Sequence, residues 1–398
     1  MRSNYKKIGT CIRKFNVRNA GLKATTLLGI NIDKFFMPSV ANIVGTDMSA
    51  YKIVKRRQFS CNRMHVGRDY RLPISISTSE EEFLVSPAYD VFEVKNEEEI
   101  LPEYLMMWFL RKEFDRNSWF YTDADVRGGL HWDAFCDMEL PIPLLGKQRE
   151  IVKEYNVVKD RIELNNKLIQ KLEETAQAIY RQWFVDFEFP DEDGKPYKSS
   201  GGEMDNINEV TLSNYVIHSK QIINPSTFSE TVFDHYSIPA FDESCLPKSE
   251  MGIEIRSNKY VAKDNSILIS KLNPNFSRVW SLFGKVAPNS ICSSEFQVLL
   301  PISPLYFGFV LFFLKSDASK EYLTGMSTGT SNSHQRITPD NLLDMPIHKF
   351  DVSIIEKFNS ATIPFIQTIK EKRDENSNLE KFKNLLLSKL ATVNNLKL

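Results

Sequence analysis

Along most of the chain the apolar positions come in short runs, but two stretches carry a longer period. In the first, Ile151, Tyr155, Val158, Ile162, Asn165, Ile169, Leu172, Ala176, Ile179 and Trp183 follow one another in steps of four and three, and nine of the ten are apolar or aromatic. That spacing collects every position on one seam of a helix that faces a partner helix. No Gly or Pro interrupts the stretch between Lys147 and Phe189. A single helix from Gln148 to Phe184 is therefore expected, roughly 55 Å long at 1.5 Å per residue.

The second stretch runs from about Ser353 to Leu396, with seam positions Ile355, Phe358, Phe365, Ile369, Leu379, Leu386, Leu390 and Val393. Pro364 should kink this helix or end its first segment, since it lacks an amide donor and crowds the preceding turn. Lys372 and Asn376 fall in the seam near where the first helix has Asn165. Paired polar positions in apolar seams commonly set register and partner. The two seams predict an antiparallel helix pair, the alternative being that each helix packs on its own globular part.

Outside the helices, strand-like stretches such as Tyr51–Val54 and Ser266–Ile269 are punctuated by Pro, Gly and Asn. The chain also repeats itself. A shift of 207 residues lays Ser86–Phe92 on Ser293–Leu299, Leu172 on Leu379, Ile162 on Ile369 and Ile179 on Leu386. Between these blocks Leu101–Leu110 resembles Pro304–Leu314, and Asp137–Ile142 resembles Asn341–Ile347. Four blocks in the same order make a duplication. The expected fold is α+β: two globular parts, each followed by a long helix, in an internal pseudo-twofold repeat. The boundaries are 1–145 for the first globular part, 146–188 for the central helix, 189–208 for an acidic linker, 209–350 for the second globular part and 351–398 for the C-terminal helix.

A length of 398 residues agrees with two or three domains, and 42% hydrophobic with 25% charged residues is an ordinary globular composition rather than a disordered one. The five Cys (11, 61, 136, 245 and 292) are odd in number and contain no C-x-x-C. Reduced thiols are expected, without a disulfide framework or zinc site. No apolar region follows the N-terminal residues, and the longest apolar run, Tyr306–Leu314, has nine residues, about half of a bilayer span. These features predict a cytoplasmic protein with no membrane partner.

The net charge of −1 argues against a nucleic-acid coat, yet it conceals a strong asymmetry. Residues 186–209 carry −6 and, with Gly194, Pro196 and Ser199–Gly202, read as a solvated linker. Two basic windows oppose it. Residues 51–71 hold Lys52, Lys55, Arg56, Arg57, Arg63, Arg68 and Arg71 for a net +6, and residues 256–285 hold Arg256, Lys259, Lys263, Lys271, Arg278 and Lys285 for +5. One such window is commonly just a solvated face. Two at equivalent places in a repeat, mixed with amide side chains, point to DNA, where Lys and Arg hold phosphates and Arg, Asn, Gln and His read base edges. Asn62, Arg63, His65 and Arg68 supply readers in the first half, and Asn273, Asn275 and Arg278 in the second. A second cluster precedes each Pro-Ile strand: Arg127 and His131, then Asn332, His334, Gln335 and Arg336.

Catalytic motifs are missing. Asn273–Phe276 is a near miss for the Asn-Pro-Pro-Phe/Tyr loop of amino-methyltransferases, with the third residue wrong and no Gly-rich methyl-donor loop before it. Pro190–Lys195 superficially matches a nuclease carboxylate–lysine cluster, but its acids are adjacent on a linker rather than brought together by a fold. The sequence holds no P-loop, no H-E-x-x-H and no G-x-S-x-G, and its six His lack metal-ligand spacing. The chain reads as a recognition subunit without catalysis of its own.

Pro141–Leu144, Gln148–Ile151, the helix end Leu172–Thr175 and Ile179–Asp186, and then Phe189–Met204 together resemble the specificity subunit of type I restriction-modification enzymes. The resemblance spans the chain through the duplicated plan, and Pro141–Met204 is its specific part. The second repeat departs from it: Met345–Ile347 is followed by His348–Ile354, without the Pro-Leu and Gln-Arg elements. The resemblance implies that each globular part reads one half of a split, asymmetric site on double-stranded DNA. It implies that the paired helices fix the spacer and dock two modification subunits that methylate adenine N6. A motor-nuclease subunit, in two copies, would add restriction. This chain would bind no cofactor or metal; the complex would use S-adenosylmethionine, with ATP and magnesium for restriction. Two other readings stand beside it: a coiled-coil scaffold binding only proteins, for which the basic windows are dispensable, and a stand-alone enzyme, against which the missing motifs argue.

Overall fold

The structure is a computed structural model, and it describes residues 4–39, 45–122, 128–202, 208–327 and 335–392. It divides into two compact units, Met1–Ile162 with Leu379–Leu398, and Glu163–Asn378. Both divisions fall inside long helices.

The first unit opens with β1 (Tyr5–Lys7), a helical turn α1 (Ile8–Cys11) and β2 (Ile12–Phe15). It continues through β3 (Leu28–Ile30), β4 (Phe36–Pro38), β5 (Lys52–Val54), β6 (Phe59–Cys61), α2 (Val66–Asp69), β7 (Ile74–Ile76), β8 (Phe83–Val85) and β9 (Asp90–Val94). Helices α3 (Pro102–Phe109), α4 (Lys112–Phe120) and α5 (Trp132–Asp137) follow, then β10 (Glu139–Pro141) and the start of α6 (Leu145–Phe184). Its main sheet has the order β2-β9-β6-β7, and β10 pairs antiparallel with β1. Phe59, Phe92, Phe109 and Phe135 pack between this sheet and the helices.

The second unit repeats the plan. It contains β11 (Glu209–Thr211), β12 (Val216–Ser219), β13 (Ile222–Ile223), β14 (Val232–Tyr236), α7 (Ile238–Ser244), β15 (Lys248–Met251), β16 (Lys259–Val261), β17 (Ser266–Ser270), β18 (Val279–Leu282), β19 (Ser290–Cys292) and β20 (Phe296–Pro301). Then come α8 (Phe307–Leu314), α9 (Asp317–Gly325), α10 (Pro339–Leu343), β21 (Pro346–His348) and α11 (Val352–Lys389). Its main sheet runs β12-β20-β17-β18, and β21 closes on β11 as β10 does on β1. Strand β16 pairs with β19 as β5 does with β8, at the 207-residue shift read from the sequence. The parallel ladder of β14 on β19 has its counterpart in the parallel bridge of Leu27 to Leu84.

The long helices pair inside each unit. In the second, Asn165 Nδ2 donates to Asn376 Oδ1 at 2.9 Å, and Asn376 Nδ2 donates to Asn166 Oδ1 at 2.8 Å. Glu173 meets Arg373 at 3.0 Å, and Trp183 lies 5.7 Å from Phe358. Number falls on one helix as it rises on the other, so they are antiparallel. In the first unit Tyr155 shares a core with Leu387 and Leu390, and Tyr5 donates its hydroxyl to Ala391 O at 2.8 Å. The start of α6 is held by the buried Gln148, whose amide accepts from Leu101 N and donates to Glu99 O and Pro143 O, each at 2.8 Å.

On α6 the seam positions Tyr155, Val158, Asn165, Ile169 and Ala176 are buried, while Ile151, Ile162, Leu172, Ile179 and Trp183 are half-buried. On α11 the stripe differs from the expected one. Ile355, Phe358, Thr362, Ile366, Ile369, Asn376, Leu387 and Leu390 are buried, whereas Phe365, Leu379 and Leu386 stand half-buried at its flank. Two consecutive steps of four, from Phe358 to Thr362 to Ile366, are the cause: they move the stripe one residue past Phe365, and from Ile366 to Leu390 it fits steps of three and four again. Val393 lies outside the described residues. Pro364 neither ends nor divides α11, which runs unbroken from Val352 to Lys389. The ring is exposed, so the carbonyl it leaves unpaired one turn earlier, on Ser360, faces water.

The acidic stretch after α6 is not merely a solvated linker. Phe189 is buried and stacks on Tyr197 with ring centroids 4.5 Å apart, Pro190 bridges Pro196, and Phe187 and Phe189 pack against Phe350. The turn forms at Gly194 (φ +78°), with Asp191 Oδ1 accepting from Asp193 N and Lys195 N. Acidic side chains line its outer side, which is why net charge alone hid the three aromatic anchors.

Candidate nucleic-acid interface

The fold answers much of the positive charge in the first window. Lys55 pairs with Glu82 at 2.9 Å, Arg56 with Glu80, and Arg57 with Glu97 and Glu103 at 2.8 and 2.9 Å. Arg68 pairs with its neighbour Asp69 at 2.6 Å, and Arg71 with Asp33 at 2.7 Å. These pairs are exposed, and each is worth at most about 1 kcal/mol. Phosphate oxygens can replace such carboxylates at little cost, so Lys55, Arg56 and Arg68 remain available to a polyanion.

Others are committed to the fold. Lys52 is half-buried and donates to Tyr89 O at 2.6 Å; burial pushes its ammonium below the ordinary value, against a smaller opposing pull from Asp90. Arg63, expected as a base reader, is largely covered. Its Nε meets Asp90 Oδ2 at 2.5 Å, its Nη1 donates to Leu130 O, and its guanidinium lies 5.6 Å from the Trp132 ring. Lys14 joins from β2, 2.6 Å from Asp90 Oδ1 and 4.5 Å from the same ring. Burial raises the Asp90 carboxyl, but Lys14 and Arg63 outweigh it and hold the group below the ordinary carboxylate range. Asn62 accepts from Met64 N at 3.1 Å, shaping the turn that leads to His65 at the start of α2. Gly67 and Gly128 meet backbone to backbone, Gly67 N donating to Gly128 O at 2.7 Å, where a Cβ on either would stand 2.7 Å from the other's Cα. His131 is exposed at the start of α5; Arg127 lies outside the described residues.

In the second window Lys259 is buried, with Nζ 2.6 Å from Ser257 Oγ, and burial lowers its pKa. Arg278 makes two bonds to Asp242, at 2.7 and 2.9 Å, and stands 5.3 Å from the Phe276 ring. Arg336 is held by Glu295 at 2.9 Å, Lys263 by Gln221, and Asn275 by Thr324 at 3.1 Å. Asn332 and His334 lie outside the described residues.

What remains in the second unit is a set of buried polar side-chain atoms with no hydrogen-bond partner among the described residues. Asn273 Oδ1 and Gln335 Oε1 are buried and unbonded among the described residues, and their backbones meet through Asn273 N donating to Gln335 O at 2.8 Å. Gln297, 1% exposed, has neither amide atom bonded, and His218 has neither ring nitrogen bonded. Lys271, 5.7 Å from the Tyr260 ring, has no ion pair among the described residues. Burial lowers the His218 pKa, reinforced by Lys220 and Lys271. Composition singled out Lys271, Asn273 and Gln335; it missed His218, Gln297 and Lys220. The signal for Gln297 was present, since it is the one polar residue of Phe296–Pro301 and the repeat aligns it with Asp90.

Among the described residues no group of three or more His, Cys, Asp or Glu could hold a metal ion, and no helix is long and apolar enough to cross a membrane. The arrangement offers donors, acceptors and exchangeable cations, which suits binding.

No protein-family model matches the chain. Over 160 residues, 39% of its length, it is 28% identical to the HindI type I restriction enzyme specificity subunit of Haemophilus influenzae. The match spans 34% of that relative. A crystal structure of a type I restriction-modification S subunit from M. genitalium is similar in fold, with a TM-score of 0.54 at 12% identity over 97% of this chain and 95% of that one. The HsdS subunit from Thermoanaerobacter tengcongensis aligns over 97% and 96% of the two chains at 14% identity, with a TM-score of 0.36.

Proposed function

We propose that this chain, similar to type I restriction-modification specificity subunits in sequence and in fold, is the DNA-reading subunit of such a complex. Each globular part reads one half of a split, asymmetric site. The antiparallel helices hold the unread spacer and dock two modification subunits, which methylate adenine N6 with S-adenosylmethionine. A motor-nuclease subunit adds ATP- and magnesium-dependent restriction. The chain's own share is positioning: the target adenine has to leave the duplex to reach a partner's active site. The observation that carries this reading is the duplication itself, two units whose main sheets have equivalent strand order, each with the long helices paired inside it. A protein that reads two different half-sites needs two versions of one reader.

Single-molecule sequencing for N6-methyladenine in host DNA, with and without the gene, tests it. Deletion should abolish methylation at one bipartite motif and leave other motifs unchanged. If no motif is lost and the chain captures no methyltransferase, the reading fails. The extensive pairing of the first basic window favours one alternative, a scaffold that binds only proteins. For that alternative Arg56→Ala with Arg68→Ala leaves methylation intact, whereas the DNA-reading proposal expects weaker methylation and a shallower salt dependence.

A further inference from the structure

Strand register makes three positions of the first unit equivalent to three of the second. Lys14 lies opposite Phe92 and Cys61 opposite Asp90; His218 lies opposite Leu299 and Ile269 opposite Gln297. Leu130 N donates to Arg63 O at 3.0 Å, and Ile337 N to Lys271 O at 3.1 Å. Lys14, Asp90 and Arg63 thus correspond to His218, Gln297 and Lys271. Directly paired residues share a sheet face, so His218 and Gln297, diagonal across β12 and β20, look to the same side. Lys271 continues the register of β17, its amide donating to Glu295 O at 2.7 Å.

The chemistry of the two triads differs in one respect. In the first unit the Asp90 carboxylate sits between two cations and is bonded to both. In the second an amide replaces that carboxylate, and the nearby acid, Glu295, is taken by Arg336. Lys271, near enough to His218 to help lower its pKa, and the unbonded groups of His218 and Gln297 have no anion from the protein among the described residues. A half-buried cation beside unbonded buried donors is unfavourable unless something negative completes it.

We propose that His218, Gln297 and Lys271 form an oxyanion site in which a phosphate-type group takes the part that the Asp90 carboxylate plays in the first unit. Gln297 Nε2 and Lys271 Nζ donate to the oxyanion, and Gln297 Oε1 accepts from His218 or Lys271. Lys220 adds long-range attraction. The group is a backbone phosphate of bound DNA or free phosphate; the first source rests on the DNA-reading proposal, the second does not.

The full chain would be unfolded thermally in rising inorganic phosphate, with chloride holding ionic strength constant. The wild-type midpoint should rise and saturate. Gln297→Glu, which supplies the carboxylate from within, should raise the phosphate-free midpoint and abolish the response. Lys271→Met should weaken phosphate affinity at least tenfold. A wild-type midpoint indifferent to phosphate, or a Gln297→Glu chain that responds like wild type, overturns the site. A second arm measures DNA affinity against salt. A slope reduced by about one in Gln297→Glu identifies a DNA phosphate as the ligand. An unchanged slope with the phosphate response lost identifies free phosphate. The phosphate arm stands whether or not the chain reads DNA.

Discussion

Arg63 and Arg68 stand five residues apart in one basic window, and burial gives them different work. Arg63 closes a group with Asp90, Leu130 O and the Trp132 ring, whereas the exposed Arg68 has, among the described residues, only its half-buried neighbour Asp69. Arg63→Ala should therefore destabilise the first unit by about 2 kcal/mol, since it strips a buried carboxylate of its partner. Arg68→Ala should change stability by less than about 0.5 kcal/mol while weakening DNA binding; urea unfolding beside a binding titration separates the two. Asp90 adds a pH signature. Its folded pKa is depressed, so its contribution is complete above the unfolded value near 3.9 and disappears as pH falls through the folded value. Asp90→Asn should cost about 2 kcal/mol at pH 7, and unfolding curves of variant and wild type should converge as pH is lowered below about 4.

At the scale of the helix pair, Asn165 and Asn376 are the polar interruption. They bond to each other at 2.9 Å, and Asn376 also bonds Asn166. A buried amide without its partner costs about 1–3 kcal/mol, whereas replacing both members by apolar groups of similar shape is nearly neutral. Asn165→Leu alone should destabilise by that amount, and Asn165→Leu with Asn376→Leu should regain most of it. A double-mutant cycle by denaturant unfolding measures the coupling. The double variant should lose specificity of helix register rather than stability, visible as broadened resonances of the seam residues. The α6 seam was legible from sequence because it keeps one period throughout. The α11 seam was misplaced at Phe365 and Leu386 because two consecutive steps of four, through the polar Thr362, shift it by one residue near its start, and only the surroundings show which neighbour turns inward.

For the whole chain, the division into units assigns the last residues to the first unit. Leu387 and Leu390 belong to its core beside Tyr155, and Tyr5 bonds Ala391 O. Truncation after Asn378 should open the first unit's core while leaving the second's strands protected. Hydrogen exchange read by mass spectrometry checks this: faster exchange in 145–162 and 5–15 is the expected result, and unchanged protection there refutes it. Such a dependence joins residues near the two ends of the chain, Tyr5 and Ala391, 386 positions apart, into one folding unit.

The sequence by itself determined the duplication, the strand-rich units and the two helices, and pointed to their antiparallel pairing, because apolar periodicity and repeat spacing are local properties that any fold of this chain must respect. It also located the basic windows. Tertiary structure alone decided which charges are free. Arg57 meets Glu97 and Glu103, Arg63 meets Asp90, and Arg278 meets Asp242 only because strands distant in sequence lie side by side. The buried, unbonded Gln297 and His218 were invisible for the same reason: an amide's burial and the lack of a partner are properties of its neighbours in space, and the composition of a window carries no information about them.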